Sequence, residues 1–337
     1  MKRILAAVWM TGALVSGNAM AWGDQGHRAI GAIAAQLLVG TNAEKQIAAL
    51  LPPGETLESS TIWADCVKGT FCGPQTAEML AFGVSNPLHT EYHYTNTPMQ
   101  LSAYTPGGPG TSDHDIVQML QQSIAVLRGD VDRQSNPHQL TQRQALLLLA
   151  HLASDIHQPL HAGSLYLDAN SRPVVPLTKA QVDGVNIFDL RGDNQLLLAD
   201  PAYDRAAYPN QPVAPQNLHF FWDITTVEYS FRRTGVKTPA EFAQLVVSAR
   251  RDVDANTGDV SGWPKQWADD ALSIARAAHQ GVVAAPRKSN LDRKGVAFNT
   301  WPVTVPGNYL ETSGSVATAQ LVRGGYHFAA LLQKIWP

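Results

Sequence analysis

Cysteine is nearly absent from this chain of 337 residues: Cys66 and Cys72 are the only two. That excludes the disulfide framework on which small secreted domains rely. Charge is also sparse, with charged residues at 16%. The two signs nearly cancel, 25 Lys and Arg against 28 Asp and Glu, so the chain lacks the basic surplus of an ordinary nucleic-acid-binding surface. If it binds a polyanion, the positive charge must come from something other than its side chains. Beyond the N-terminus no apolar run reaches the length of a membrane span. Strand-like alternation occurs only in short stretches. The remaining composition is ordinary: 45% hydrophobic residues, 26 glycines and 21 prolines. It suits a globular chain with a sizeable core and excludes collagen-like, coiled-coil and disordered architectures.

Met1 to Ala21 reads as a cleavable signal peptide. Lys2 and Arg3 form its charged start, Ile4 to Val15 is mostly apolar, and Ala19-Met20-Ala21 is a small-x-small cleavage site. The apolar run is shorter than the roughly 20 residues a span needs. The mature chain is therefore expected to begin at Trp22 and to be secreted or periplasmic, with no membrane span after processing. Losing Lys2 and Arg3 leaves 23 basic residues against 28 acidic ones, a net charge of −5. Export would permit Cys66 and Cys72 to pair; their spacing does not decide whether they do.

Helical periodicity dominates the rest. Gly26 to Leu38 puts Ile30, Ile33, Ala34, Leu37 and Leu38 on one face, and Thr41 with Glu44 reads as a capping box for the next helix. Ser112 to Asp115 opens a third helix, whose stripe is Ile116, Val117, Leu120, Ile124 and Leu127. Thr141 and Gln144 make another capping box ahead of Ala145 to His157. Thr238-Pro239 with Glu241 combines an N-cap, a proline at the first helical position and an acidic third residue. Pro264 to Val282 and Ser313 to Trp336 complete the set. The expectation is a mainly α, single-domain fold over residues 22–337, with long loops, few short strands and no internal repeat. Residues 163–216 break the pattern. Proline, asparagine and aspartate are scattered there without helical period, over a length beyond that of a normal connection, so the stretch is expected to be a loop insertion serving as a flap or a rim.

Histidines stand beside aspartates in a repeated spacing. His151 and Asp155 are four apart on a predicted helix and project from one face. Pro159 then turns the chain, which lets His161 approach from another direction. His219 and Asp223 repeat the spacing of four. Nitrogen and oxygen donors of this kind suit zinc. Asp65 in Trp63-Ala64-Asp65, His93 in Tyr92-His93-Tyr94 and His27 in Trp22-Gly-x-x-Gly-His27 each lie among bulky apolar or glycine residues. That context suits buried ligands, because an ionised carboxylate inside a protein needs a compensating cation.

Taken in order along the chain, these motifs resemble the zinc-dependent single-strand-specific nucleases, the fungal S-one and P-one type with their plant and bacterial relatives, which are related to zinc phospholipase C. The resemblance runs from Trp22-Gly-x-x-Gly-His27 through Trp63-Ala64-Asp65, His93-Tyr94, His151-x3-Asp155, Gln158-Pro159-Leu160-His161 and His219-x3-Asp223 to Gly325-Tyr326. It implies a helical phospholipase C and nuclease-type fold and a cluster of three Zn2+ ions. Asp65, His93, His151 and Asp155 match the ligands of one ion; His161, His219 and Asp223 match those of a second. Trp22, through its free α-amino nitrogen and its carbonyl oxygen, matches the third together with His27, and Asp155 bridges the first and third. His157 matches no ligand and is left to packing. His89, His114, His138, His279 and His327 have no constellation around them in the sequence.

The resemblance further implies hydrolysis of single-stranded DNA and RNA to 5′-phosphorylated products by a metal-bridged hydroxide, with removal of phosphate from 3′-nucleotides. Asp65, Lys68 and Asp155 would be catalytic, Lys68 steadying charge on the phosphoryl oxygens. Tyr94 would stack on an unpaired base, Asn96 would bond its edge, and Asn194 would line the same pocket. Three divalent ions would also supply the positive charge that the composition lacks. No stable protein partner is implied, and a monomer is expected. The chain departs from the family pattern at Asn96, where many relatives have aspartate. It departs again at Asp193, which takes the place of the second glycine in the family's Gly-Gly-Asn segment. Two other readings use the same ligands: a zinc-dependent phospholipase C, and a non-catalytic exported zinc-binding protein.

Overall fold

The apolar stripes become the inward faces of helices in the computed structural model, which describes residues 22–200, 202–204, 206–208, 216–291 and 295–337. The expected leader, residues 1–21, lies outside them. The helices are α1 (Asp24–Leu37), α2 (Asn42–Leu50), α3 (Leu57–Ser60), α4 (Trp63–Cys66), α5 (Ala77–Ser85) and α6 (Ile116–Arg128). They continue with α7 (Gln142–Asp155), α8 (Leu218–Phe220), α9 (Thr226–Thr234), α10 (Pro239–Ser248), α11 (Trp263–Ala278) and α12 (Tyr309–Ile335). The strands are short: β1 (Thr97–Pro98), β2 (Gly163–Ser164), β3 (Tyr166–Asp168), β4 (Ile187–Asp189), β5 (Leu196–Leu198), β6 (Val283–Ala284), β7 (Lys288–Leu291) and β8 (Ala297–Thr304). The fold is mainly α, as the periodicity predicts. Among the described residues no helix is long and apolar enough to cross a membrane.

Helix starts follow their capping residues. The Asp115 carboxylate accepts hydrogen bonds from the amides of Val117 and Gln118, and α6 ends at Gly129 in the left-handed region, where a residue without Cβ is unstrained. The capping box of Thr141 and Gln144 is reciprocal, each side chain bonding the other residue's amide. At α2 the pattern is modified: Thr41 caps Glu44, but the Glu44 carboxylate reaches back to the amide of Gly40. Helix α7 sits at the centre, with every residue from Ala145 to Asp155 buried. It is packed by α1, α2, α3, α4, α6 and α12. A helix apolar on all sides belongs there, and it carries His151 and Asp155 into the interior. Helix α1 lies against α10 and α12. Gly324 and Gly325 of α12 allow close approach: a Cβ at Gly325 would lie 2.5 Å from the Cβ of Ile33.

The described part of residues 163–216 contains short strands. Two of its strands pair with the rest of the fold, β2 parallel to β1 with Thr97 opposite Gly163 and β5 parallel to β8 with Leu196 opposite Trp301, while β3 pairs antiparallel with β4 inside the segment. Two-residue strands carry too little alternation to be read from sequence. The turn at residues 191–193 lies against Leu160, just beyond α7, and His219 of α8.

Candidate metal centre

Two consecutive functional elements emerge from α7. Its last turn presents His151 and Asp155, four apart and on one side. After it Gln158 caps a single 3-10 turn, with Pro159 at its start, that ends at His161. The His151 Nδ1–H donates to the Thr61 carbonyl at 2.6 Å, and the His161 Nδ1–H donates to the His93 carbonyl at 2.7 Å. The His219 Nδ1–H donates to the Gly192 carbonyl at 2.6 Å. Each bond fixes the ring's orientation and directs Nε2 into the site, the arrangement that supports a metal-ligating imidazole.

The groups meet in three clusters of buried residues: Asp65, His93 and His151; His27, His151 and Asp155; His161, His219 and Asp223. Asp155 joins the first two. Its Oδ1 lies 3.2 Å from His27 Nε2, and its Oδ2 lies 3.0 Å from His93 Nδ1 and 3.1 Å from His151 Nε2. Asp65 Oδ1 stands 3.7 Å from His93 Nδ1 and 3.6 Å from His151 Nε2, and accepts from Lys68 Nζ at 2.7 Å. In the third cluster His219 Nε2 is 3.4 Å from Asp223 Oδ2, and Gln158 Nε2 donates to Asp223 Oδ1 at 2.7 Å. Asp223 sits in a π-helical turn, Phe221–Thr225, between α8 and α9.

Electrostatics favour a cation here. Burial opposes a charge on His151, yet Asp155 and Asp65 outweigh it and raise its pKa. Burial likewise opposes the Asp65 carboxylate, but Lys68 and His151 bring it down to about 2. Burial and Lys68 lower His93 to about 3, and burial with His161 lowers His219 to about 3, so both rings stay neutral lone-pair donors over the physiological range. Burial pushes Asp223 well above the usual carboxylate range, with Asp155 and Asp65 adding to the rise.

Metal ions fit this donor set. Buried atoms without a hydrogen-bond partner include both ring nitrogens of His27, Oδ2 of Asp65, Oδ1 of Asp155, Nε2 of His161 and His219, and Oδ2 of Asp223. Buried polar atoms are ordinarily paired. So many unpaired on facing residues are what coordinating atoms of nitrogen- and oxygen-bound metals look like.

The other sequence-predicted residues fall around this cluster. Trp22 is buried at the start of α1, where its carbonyl accepts a 3.3 Å hydrogen bond from the His27 amide. Gly26 makes room for it, since a Cβ there would stand 2.9 Å from Trp22 Cβ. Lys68 lies in the loop closed by the Cys66–Cys72 disulfide. Tyr94 is half-buried next to His93. Asn96 turns its amide to Asp189, donating to Oδ2 at 2.8 Å, and the Asn194 amide donates to the Arg191 carbonyl of its own turn at 2.9 Å. His157 packs outside the centre: its Nδ1–H donates to the Ala153 carbonyl, and its Nε2 is 2.9 Å from His327 Nδ1. Contrary to the sequence reading, His279 does have a constellation, a buried contact with Asp193. Sequence reasoning also missed Thr61, Gly192 and Asp189. The first two act through backbone carbonyls, which leave no side-chain signature.

A family model described as S1/P1 Nuclease matches residues 22–337. Among curated proteins the chain is similar to Endonuclease 2 of Arabidopsis thaliana, 29% identical over 343 residues that cover 99% of this chain and 96% of that protein.

Proposed function

The chain belongs to the S1/P1 nuclease family, and from that premise we propose that its mature form, residues 22–337, is an exported zinc-dependent endonuclease of single-stranded DNA and RNA. It leaves 5′-phosphorylated products and also removes phosphate from 3′-nucleotides. The supporting observation is the double-faced Asp155, whose two oxygens address His27 on one side and His93 with His151 on the other. Bound divalent ions would supply the positive charge that this acidic chain lacks and would acidify water at the phosphodiester.

Each side chain then has a task. Asp65, His93, His151 and Asp155 hold one ion; His161, His219 and Asp223 hold a second; His27, Asp155 and the terminal amine and carbonyl of Trp22 hold a third. Lys68, kept beside the cluster by Asp65, steadies charge on the phosphoryl oxygens. Asp65 serves twice, as ligand and as the group that positions Lys68. Tyr94 offers a ring face to an unpaired base, while Asn96 with Asp189, and Asn194 from the nearby turn, supply polar contacts to its edge. A duplex hides its base faces, so single strands are preferred. The protein works as a monomer in the periplasm or outside the cell, and the turn at 191–193 forms part of the site's wall.

Metal analysis of the processed protein beside digestion assays tests this. Close to three zinc equivalents and release of acid-soluble nucleotides from denatured DNA or RNA are expected. Phosphocholine release from lecithin without nucleotide release would establish a phospholipase instead, and zinc binding with neither activity would establish a storage protein. One extra residue retained before Trp22 should lower zinc content by up to one equivalent; unchanged content would remove the terminal amine from the ligand set.

A further inference from the structure

We propose that Asp193 and His279 form a clamp that positions His219 for metal binding, acting through the turn at residues 191–193. The proposal rests on the reading that His161, His219 and Asp223 hold an ion. Arg191, Gly192 and Asp193 have φ of +55°, +56° and +67°. Three consecutive left-handed residues, two of them not glycine, do not persist without support. The turn supplies the Gly192 carbonyl to which His219 Nδ1–H donates. It is pressed against the site, since a Cβ at Gly192 would lie 2.4 Å from the Leu160 carbonyl and 3.3 Å from His219 Nδ1.

The support comes from a distant helix end. Asp193 is fully buried; its Oδ1 accepts from the Leu165 amide at 3.2 Å, and its Oδ2 lies 2.5 Å from Nε2 of His279, the residue that follows α11. The His279 Nδ1–H donates to the Ala275 carbonyl at 2.7 Å, which holds the ring with Nε2 in ion-pair contact with Asp193. Burial disfavours a charged ring, but Asp193 and that carbonyl outweigh it and raise the His279 pKa. A buried pair of this kind is weak as general glue, and its best-attested use is to hold one geometry. Here the geometry runs from α11 through His279 and Asp193 to the Gly192 carbonyl, and from there to the His219 ring. The aspartate that departs from the family's Gly-Gly-Asn pattern thus finds its partner on another element. The same turn also reaches the base-edge contacts: the Gly192 amide donates to Ser164 Oγ, which donates to Asp189 Oδ1, while Asn96 donates to Asp189 Oδ2.

The test is chelator competition on the processed, zinc-loaded protein, comparing wild type with Asp193→Asn, His279→Leu and the double variant. Outer partners of metal ligands typically control affinity by 10- to 100-fold. Each single variant is therefore expected to release one zinc equivalent at about tenfold lower chelator, with the other two unchanged, and the double variant to be no worse than either single. Nuclease activity lost with that equivalent should return in excess zinc. Release at the wild-type chelator concentration, a common shift of all three equivalents, or additive effects would overturn the clamp. Asp193→Asn keeps side-chain volume and an oxygen for the Leu165 amide, so it carries the test if His279→Leu does not fold. A wild type that never holds three equivalents would instead defeat the underlying metal assignment, and the clamp with it.

Discussion

His27, His151 and Asp155 stand on α1 and α7, regular helices buried deep in the core, whereas His161, His219 and Asp223 hang from a 3-10 turn, the three-residue α8 and a π-helical turn, with left-handed backbone at 191–193 beside His219. The first half is positioned chiefly by local geometry, with the Thr61 carbonyl orienting the His151 ring from 90 residues away. A spacing of four on an α-helix brings His151 and Asp155 together whatever the loops do, and the His27 ring stacks on the His151 ring at 4.0 Å. The second half is positioned by contacts made far away in sequence. The Gly192 carbonyl lies 27 residues before His219, and the Gln158 amide that orients Asp223 lies 65 residues before it. One mounting resists change at its surroundings; the other depends on them.

The largest effect should come from the residue that ties two ligand groups together. Asp155→Asn removes the charge shared by His27, His93 and His151, and leaves the direct contacts among His161, His219 and Asp223 in place. Loss of a ligand should exceed the 10- to 100-fold loss typical of an outer partner, so activity should fall by more than about 100-fold, with zinc retained chiefly at His161, His219 and Asp223. Full zinc content with near-normal digestion of denatured DNA would break the division into halves. Gly192→Ala attacks the other mounting. A methyl group there meets the Leu160 carbonyl and the His219 ring, at a φ that L-residues rarely adopt. The half containing His219 should lose about 10- to 100-fold in zinc affinity, measured by the same competition, while the half on α1 and α7 keeps its ions.

Legibility follows the same division. Helix boundaries came within a few residues wherever caps and apolar stripes coincided, as at Thr141, Asp115 and Thr238. His151 and Asp155 were readable because a spacing of four sets their side chains on one helix face, and His27 from its place in Trp22-Gly-x-x-Gly-His27. The supports of the second half were not. Gly192 acts through a carbonyl that every residue possesses, as Thr61 does for His151 in the first half, and the link between Asp193 and His279 spans elements whose proximity depends on the packing of α11 against the turn after α7. The strands of 163–216 were also invisible, because two or three residues do not establish a period.

The helical half has its own vulnerable point, though its cost should appear in folding instead of metal binding. Gly325 of α12 faces Ile33, six residues beyond His27 on α1, and an added Cβ would stand 2.5 Å from the Ile33 Cβ. That atom is fixed to the backbone and cannot swing aside. Gly325→Ala should destabilise the protein by roughly 1–3 kcal/mol, the usual range for overpacking a core. Thermal melts would register the loss, and zinc stoichiometry at a temperature well below the transition should not change. A loss of zinc from the folded variant would mean that the helical mounting is less self-sufficient than the comparison holds.

The smallest expected effect is a pH dependence confined to the turn-mounted half. His279 faces Asp193 and the Ala275 carbonyl, with Arg276 on its own helix and Tyr309 close by, whose hydroxyl donates to the Ala278 carbonyl. Its folded pKa is raised above the ordinary 6.5 because Asp193 overcomes the burial that would lower it. For a group shifted in this direction, the stabilisation is complete below the unfolded value and fades as pH rises through the higher folded value. The melting-temperature gap between wild type and His279→Leu should therefore be widest at about pH 6 and narrow as the solution becomes alkaline. A gap that stays constant or widens from acid to alkaline pH would show that the pair holds no proton worth losing. The turn would then depend on shape alone, like the helices of the other half.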